Sequence, residues 1–244
     1  MRTAVVVFPG SNCDRDARSA IQDMELGPVD MVWHDEDTFP EKPDLVILPG
    51  GFSYGDYLRS GALAAKSKIM KAVRTHALSG GLLLGICNGF QILTEARLLP
   101  GALLPNANLR FICRPCYIRV ERNNTPFTRS FPEKQIVQVP IAHHEGLFFL
   151  PPDGLEELEE RNQVVFRYAD PATREAGADY SPNGALNGIA GIISREGNVL
   201  GLMPHPERAT LKNIIRGADG RGIWQSLGEH FGVFGLQQGR EGVR

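Results

Sequence analysis

The sequence has no long apolar run, no block of like charge and few cysteines, and each absence narrows the field. No stretch approaches the roughly 20 consecutive apolar residues that a membrane helix needs. The N-terminal run Ala4 to Phe8 soon meets Pro9-Gly10, too short for a secretory signal core and without a small-residue cleavage site. Lys and Arg number 26 against 28 Asp and Glu, and the net charge of −2 offers no basic excess for nucleic acid. Four cysteines spread over 244 residues do not suggest a disulfide scaffold, so a reducing cytoplasm is the expected compartment. Neither an internal repeat nor a low-complexity linker divides the chain, and a single domain over residues 1–244 is expected.

What is present is an alternation of strand-like and helix-like segments. Thr3 to Phe8, Asp44 to Leu48 and Leu82 to Ile86 are apolar runs that end at Pro-Gly, Pro-Gly-Gly or Cys-Asn-Gly, as strands buried on both faces do, and Val29 to Trp33 is a further strand candidate. Between them, Asp14 to Met24 repeats Ala17, Ala20, Ile21 and Met24 at helical spacing. Ala62, Ala65, Ile69, Val73 and Ala77 fall on one face of a further helix, which Gly80-Gly81 ends. A short helix towards Ala96 follows Cys87-Asn88-Gly89. This rhythm predicts an α/β fold, an open and mostly parallel sheet with helices on both faces. The second half is richer in strand, over Phe111 to Glu121, Gln135 to Pro140, Val164 to Ala169 and Ile189 to Met203, before a final helix from about Ile223 to His230.

The chemistry concentrates at Gly85-Ile86-Cys87-Asn88-Gly89, a G-x-C-x-G directly after a predicted buried strand. This is the cysteine form of a nucleophile elbow, a sharp strand-to-helix turn that exposes the nucleophile. Side chains two residues before and after it would collide in such a turn, which explains the glycines. A helix starting there points N–H groups at the sulfur and favours the thiolate, and the Asn88 amide can donate to an oxyanion. The bland alternative is a buried structural cysteine.

A base is available at Met203-Pro204-His205-Pro206-Glu207. Pro206 keeps His205 extended, and residues two apart on extended chain share a face. Glu207 is therefore placed to fix the imidazole tautomer and support its positive charge. The apolar run Val199 to Met203 sets the pair at the C-terminal end of a strand, the edge where open α/β sheets build sites. Alone, the pair also reads as a surface ion pair in a proline-rich turn. Pro49-Gly50-Gly51-Phe52, after another strand, lets backbone N–H groups approach a ligand closely and offers a second oxyanion donor.

Together these three elements resemble the class I, triad-type glutamine amidotransferases. The resemblance is closer to the family of glutaminase subunits of phosphoribosylformylglycinamidine synthase. It is carried by FPGSNCDRD (Phe8 to Asp16), PGGFSYGDYLRSGA (Pro49 to Ala62), GICNGFQ (Gly85 to Gln91) and the LPN and RFICR strings between Leu104 and Arg114. SPNGALNGIAGI (Ser181 to Ile192) and GNVLGLMPHPERA (Gly197 to Ala209) extend it over nearly the whole chain. The resemblance implies a flavodoxin-like fold with Cys87 as nucleophile, His205 as general base and acid, and Glu207 as its orienting partner. It further implies Gly51 and Asn88 as oxyanion donors and Gln91 as a contact to substrate glutamine. A large synthetase subunit and a small accessory subunit are the implied partners. No cofactor or metal is implied for this chain, since ATP and Mg belong on the synthetase. The absence of a G-x-x-x-x-G-K-[ST] loop agrees with that. The string His143-His144-Glu145-Gly146 departs from the family pattern of a single histidine followed by glycine, which leaves the role of His144 open.

Other features carry less. Cys113-Arg114-Pro115-Cys116 has no second pair for zinc, and on a strand its two sulfurs face opposite ways. Cys13 reads as a helix-start residue, and His34, His76 and His230 as isolated structural histidines. Rival readings are a glutaminase subunit serving another acceptor, a peptidase-like or deglycase-like elbow enzyme, and a non-catalytic regulatory or scaffold subunit.

Overall fold

The computed structural model describes residues 1–210 and 219–234. Its first half follows the predicted alternation: β1 (Thr3–Val7), α1 (Asp14–Asp23), β2 (Val29–Trp33), β3 (Leu45–Leu48), α2 (Met70–Leu78), β4 (Leu82–Ile86) and α3 (Asn88–Glu95). The second half adds β5 (Ala102–Leu104), β6 (Ile112–Val120), β7 (Ile136–His143), β8 (Leu147–Phe149), α4 (Pro152–Glu160), β9 (Val164–Tyr168), β10 (Ile189–Ile193), β11 (Val199–Leu202) and α5 (Arg221–His230).

Nine strands form one sheet in the order β2-β1-β3-β4-β11-β10-β9-β6-β7. The run β2-β1-β3-β4-β11 is parallel throughout, and it is the flavodoxin-like order 2-1-3-4-5. From β11 outward every pairing is antiparallel, so the β-rich second half extends the same sheet. The strands β3, β4 and β11 are buried at every position, and each enclosed Leu, Ile or Val there contributes about 1.5–3 kcal/mol of hydrophobic stabilisation. Parallel strands covered on both faces need uninterrupted apolar sequence, which is why these runs are legible.

One sequence expectation needs adjustment, and one is made more definite. The helix expected from Ala62 to Ala77 is interrupted: Ala64–Lys66 is a 3-10 turn, Ser67 is extended at φ −60° and ψ 151°, and α2 starts only at Met70. The segment Ile189 to Met203 is two strands, β10 and β11, joined by a turn through Gly197 at φ 80°. In β6, Cys113 is exposed and Cys116 buried, as strand alternation requires. No helix among the described residues is long and apolar enough to cross a membrane.

Candidate active site

Four chain segments that leave the C-terminal ends of β1, β3, β4 and β11 converge at one edge of the parallel half, bringing Cys13, the Gly50-Gly51 loop, Cys87 and His205 together. The β4-to-α3 junction is a true elbow. Cys87 sits at φ 50° and ψ −106°, a backbone state that a residue with a side chain adopts only under constraint. A Cβ on Gly85 would lie 2.5 Å from Leu93 Cδ1 and 2.7 Å from the Gly89 oxygen. The Cys87 amide is tied to the Leu202 oxygen at 2.8 Å, and its thiol faces the Ala142 oxygen at 3.7 Å. Asn88 begins α3, where the first N–H groups have no intrahelical acceptor.

His205 and Glu207 are buried, at 1% and 0% exposure. Their atoms Nδ1 and Oε1 lie 2.6 Å apart, and the His205 amide donates to the Pro140 oxygen at 2.9 Å. Trp224 of α5 donates from Nε1 to the Pro206 oxygen at 3.4 Å and so backs the turn. Burial alone pushes the imidazole pKa down. The Glu207 and Cys87 charges and the nearness of the Cys13 and Cys87 thiols outweigh it, holding the ring well above its usual 6.5. With Nδ1 taken by Glu207, Nε2 remains for a reacting proton.

The Gly-Gly loop abuts both groups. A Cβ on Gly50 would stand 2.8 Å from His205 Cε1, 3.1 Å from Cys13 Sγ and 3.4 Å from Cys87 Cβ. Gly51 has φ 128°, and a side chain there would press on the Asn12 backbone nitrogen at 2.6 Å. Gln91 is buried, with Nε2 donating to the Glu145 oxygen at 2.6 Å and Oε1 accepting from Asn88 Nδ2 at 2.8 Å. Its oxygen keeps a second lone pair for a further donor.

Reasoning from sequence missed two parts of this arrangement and left a third, the His143-His144 string, open. The loop Phe52 to Leu58 is wound through left-handed backbone at Tyr54, Gly55, Asp56 and Leu58, signalled in sequence by Gly55 alone. It brings Asp56 to the Asn88 side chain at 3.4 Å, and burial followed by the Glu145 charge raises the Asp56 carboxyl to about 6. Cys13 lies beside His205 and Glu207: its sulfur and their donor atoms are within 4.8 Å of one another. Arg208 Nη2 donates to that sulfur at 3.1 Å. The His143-His144 pair also separates clearly. His143 is buried, its Nδ1 3.1 Å from Asn106 Oδ1, whereas His144 is exposed. A side chain on Gly146 would run into the His143 ring.

Residues 1–232 match the CobB/CobQ-like glutamine amidotransferase domain. The chain belongs to this family of glutamine amidotransferases. One relative, the phosphoribosylformylglycinamidine synthase subunit PurQ of Thermus thermophilus, is 56% identical over 220 residues, 90% of this chain and 94% of that protein. The subunit of the same name from Rhodopseudomonas palustris is 50% identical over 230 residues, 94% of this chain and 98% of its own. Among solved structures, PurLQS from Thermotoga maritima contains a chain 42% identical, with a TM-score of 0.79 over 94% of this chain and 98% of that one. A glutamine amidotransferase from the same organism, 19% identical with a TM-score of 0.55 over 96% and 92% of the two chains, shares the fold. Within this amidotransferase, the elbow and the His-Pro-Glu turn stand on adjacent, parallel strands β4 and β11.

Proposed function

We propose that this chain is the glutaminase subunit of phosphoribosylformylglycinamidine synthase, acting as one domain. The observation that carries the chemistry is the buried His205–Glu207 pair at 2.6 Å, set beside a cysteine held in an elbow. The supporting relatives are PurQ subunits matched along almost their full length.

The Cys87 thiolate attacks the carboxamide carbon of glutamine, and the tetrahedral oxyanion is met by the Gly51 and Asn88 amides. His205 protonates the departing ammonia from Nε2. It then removes a proton from water, which hydrolyses the glutamyl thioester to glutamate. Glu207 holds the tautomer and the charge through both steps. Gln91, in the first turn of α3, contacts the substrate through its free lone pair.

Ammonia passes to a large synthetase subunit. There ATP and Mg activate formylglycinamide ribonucleotide, which becomes the formylglycinamidine of purine synthesis. A small third subunit completes the complex; the Thermotoga assembly named PurLQS supports that reading. A cytoplasmic setting suits this pathway.

The test is glutamate release from glutamine by wild type and Cys87→Ala, each alone and with the synthetase, its acceptor nucleotide and ATP. Release that needs Cys87 and rises with the partner supports both chemistry and pathway. Cys87-dependent release indifferent to that partner reassigns the acceptor. Release unaffected by Cys87→Ala removes the triad.

A further inference from the structure

Cys13 is a buried thiol that the mechanism above does not use. It precedes α1 as the N-terminal flanking residue, yet its side chain makes no capping bond to that helix. Its sulfur faces the other way. It donates to Asn12 Oδ1 at 3.3 Å, accepts from Arg208 Nη2 at 3.1 Å, and lies within 4.8 Å of donor atoms of His205 and Glu207. The missing side chain of Gly50 brings the sulfur and the imidazole edge to the same narrow gap, 3.1 Å and 2.8 Å from the position of its Cβ.

Arg208 is the reason this placement matters. It follows Glu207 directly in the chain, and a guanidinium free to approach the imidazole would oppose its protonated form. Two contacts hold that cation towards the start of α1: Asp16 Oδ2, 3.0 Å from Nε, and the Cys13 sulfur. We propose that Cys13 is a positioning residue of the glutaminase centre: its thiol tethers Arg208 and packs beside His205, so the general base stays aligned with Cys87. Burial raises the thiol pKa, which keeps it neutral and able to accept from Arg208 without competing as a second thiolate.

Among the described residues, the titratable and charged groups facing His205 come from five places. From the start of α1 come Cys13 and, through Arg208, Asp16; from the elbow, Cys87; from β7, His143; from β6, Cys116; and from its own turn, Glu207 and Arg208. Removing the Cys13 sulfur opens a void beside the ring and releases one tether of the cation. The protonated imidazole is then less favoured, and activity fails at lower pH on the alkaline side.

This inference rests on the triad reading, and the experiment separates the two. Cys13→Ala and Cys13→Ser are compared with wild type in the full complex for glutaminase kcat and KM. The pH dependence of Cys87 alkylation by iodoacetamide is followed on the full chain, with the site assigned by peptide mass spectrometry because Cys113 is exposed. Cys13→Ala is expected to lower kcat on the order of tenfold with little change in KM, and to move the acidic limb of alkylation, where the thiolate forms, to higher pH, because a less favoured imidazolium stabilises the thiolate less. Cys13→Ser, which keeps a donor and an acceptor, recovers part of both. In an Arg208→Gln background the Cys13→Ala limb shift shrinks, since the restrained charge is gone. A wild-type limb and kcat in Cys13→Ala would overturn the proposal. So would equal slowing of both variants with an unmoved limb, or a limb shift undiminished without Arg208. Release that survives Cys87→Ala would instead remove the triad reading beneath it.

Discussion

The backbone oxygen of Leu48 occupies the space that a side chain on Gly89 would need. Leu48 ends β3 and Gly89 lies in the first turn of α3, so this contact sets how closely the helix after Cys87 packs on the neighbouring strand. Backbone cannot retreat as a flexible side chain can. Gly89→Ala is therefore expected to cost about 3 kcal/mol of stability and to abolish glutaminase activity by tilting the elbow. Urea unfolding and glutamate release check the two effects together.

The elbow stores strain at Cys87 itself, whose φ of 50° and ψ of −106° suit glycine better than any residue with a Cβ. Cys87→Ala and Cys87→Gly should both be inactive but differ in stability. The glycine variant is expected to be more stable than the alanine variant by about 1 kcal/mol, as strain relief exceeds the added chain entropy. Equal unfolding midpoints would show that the elbow is not strained.

For His205 the direction of the pKa shift fixes the pH dependence. A folded value above 6.5 means that folding favours the imidazolium. That stabilisation is complete below 6.5 and is lost as pH rises through the raised folded value. Glu207→Gln removes the largest contribution that raises it and leaves burial less opposed. The alkaline limb of kcat/KM should move to lower pH, with kcat down about a hundredfold or more from the lost tautomer control. An unshifted pH profile in Glu207→Gln would take Glu207 out of the triad.

Asp56 carries the opposite consequence for a carboxylate. Its pKa is raised from 3.8 to about 6 by burial first and the Glu145 charge second. Its contribution to stability is complete below 3.8 and is lost as pH rises through about 6. At pH 8 the ionised group is a net cost, so Asp56→Asn should raise the melting temperature there by about 3 °C, roughly 1 kcal/mol after discounting for its partial exposure. The gain should vanish near pH 4. A gain of equal size at both pH values would point to packing and not to charge.

The strands that build the site were legible because parallel strands buried on both faces must be apolar without interruption, as Leu45–Leu48, Leu82–Ile86 and Val199–Leu202 are. The expected Ala62-to-Ala77 helix was less legible. Apolar spacing is kept on both sides of Ser67, while the break at Ser67 is a backbone choice that spacing does not encode. The strands β5 and β8, three residues each, pair only with one another and leave almost no periodic signal. The helix α4 buries little besides Leu158, so its sequence lacks an apolar stripe.

By itself, the sequence determined the local chemistry. Glycines flank Cys87 because the elbow tolerates nothing larger, and Pro206 opens a 3-10 turn, Pro206–Ala209, that folds Glu207 back onto the His205 imidazole where extended chain was expected. Those constraints act within a few residues and are therefore written in the sequence itself. Only the tertiary structure decided which distant groups meet. The parallel pairing of β4 with β11 sets the cysteine beside the histidine. The position of β1 in the same sheet carries Cys13 and Asp16 to Arg208. Such contacts follow from strand order, which no local pattern in the chain specifies.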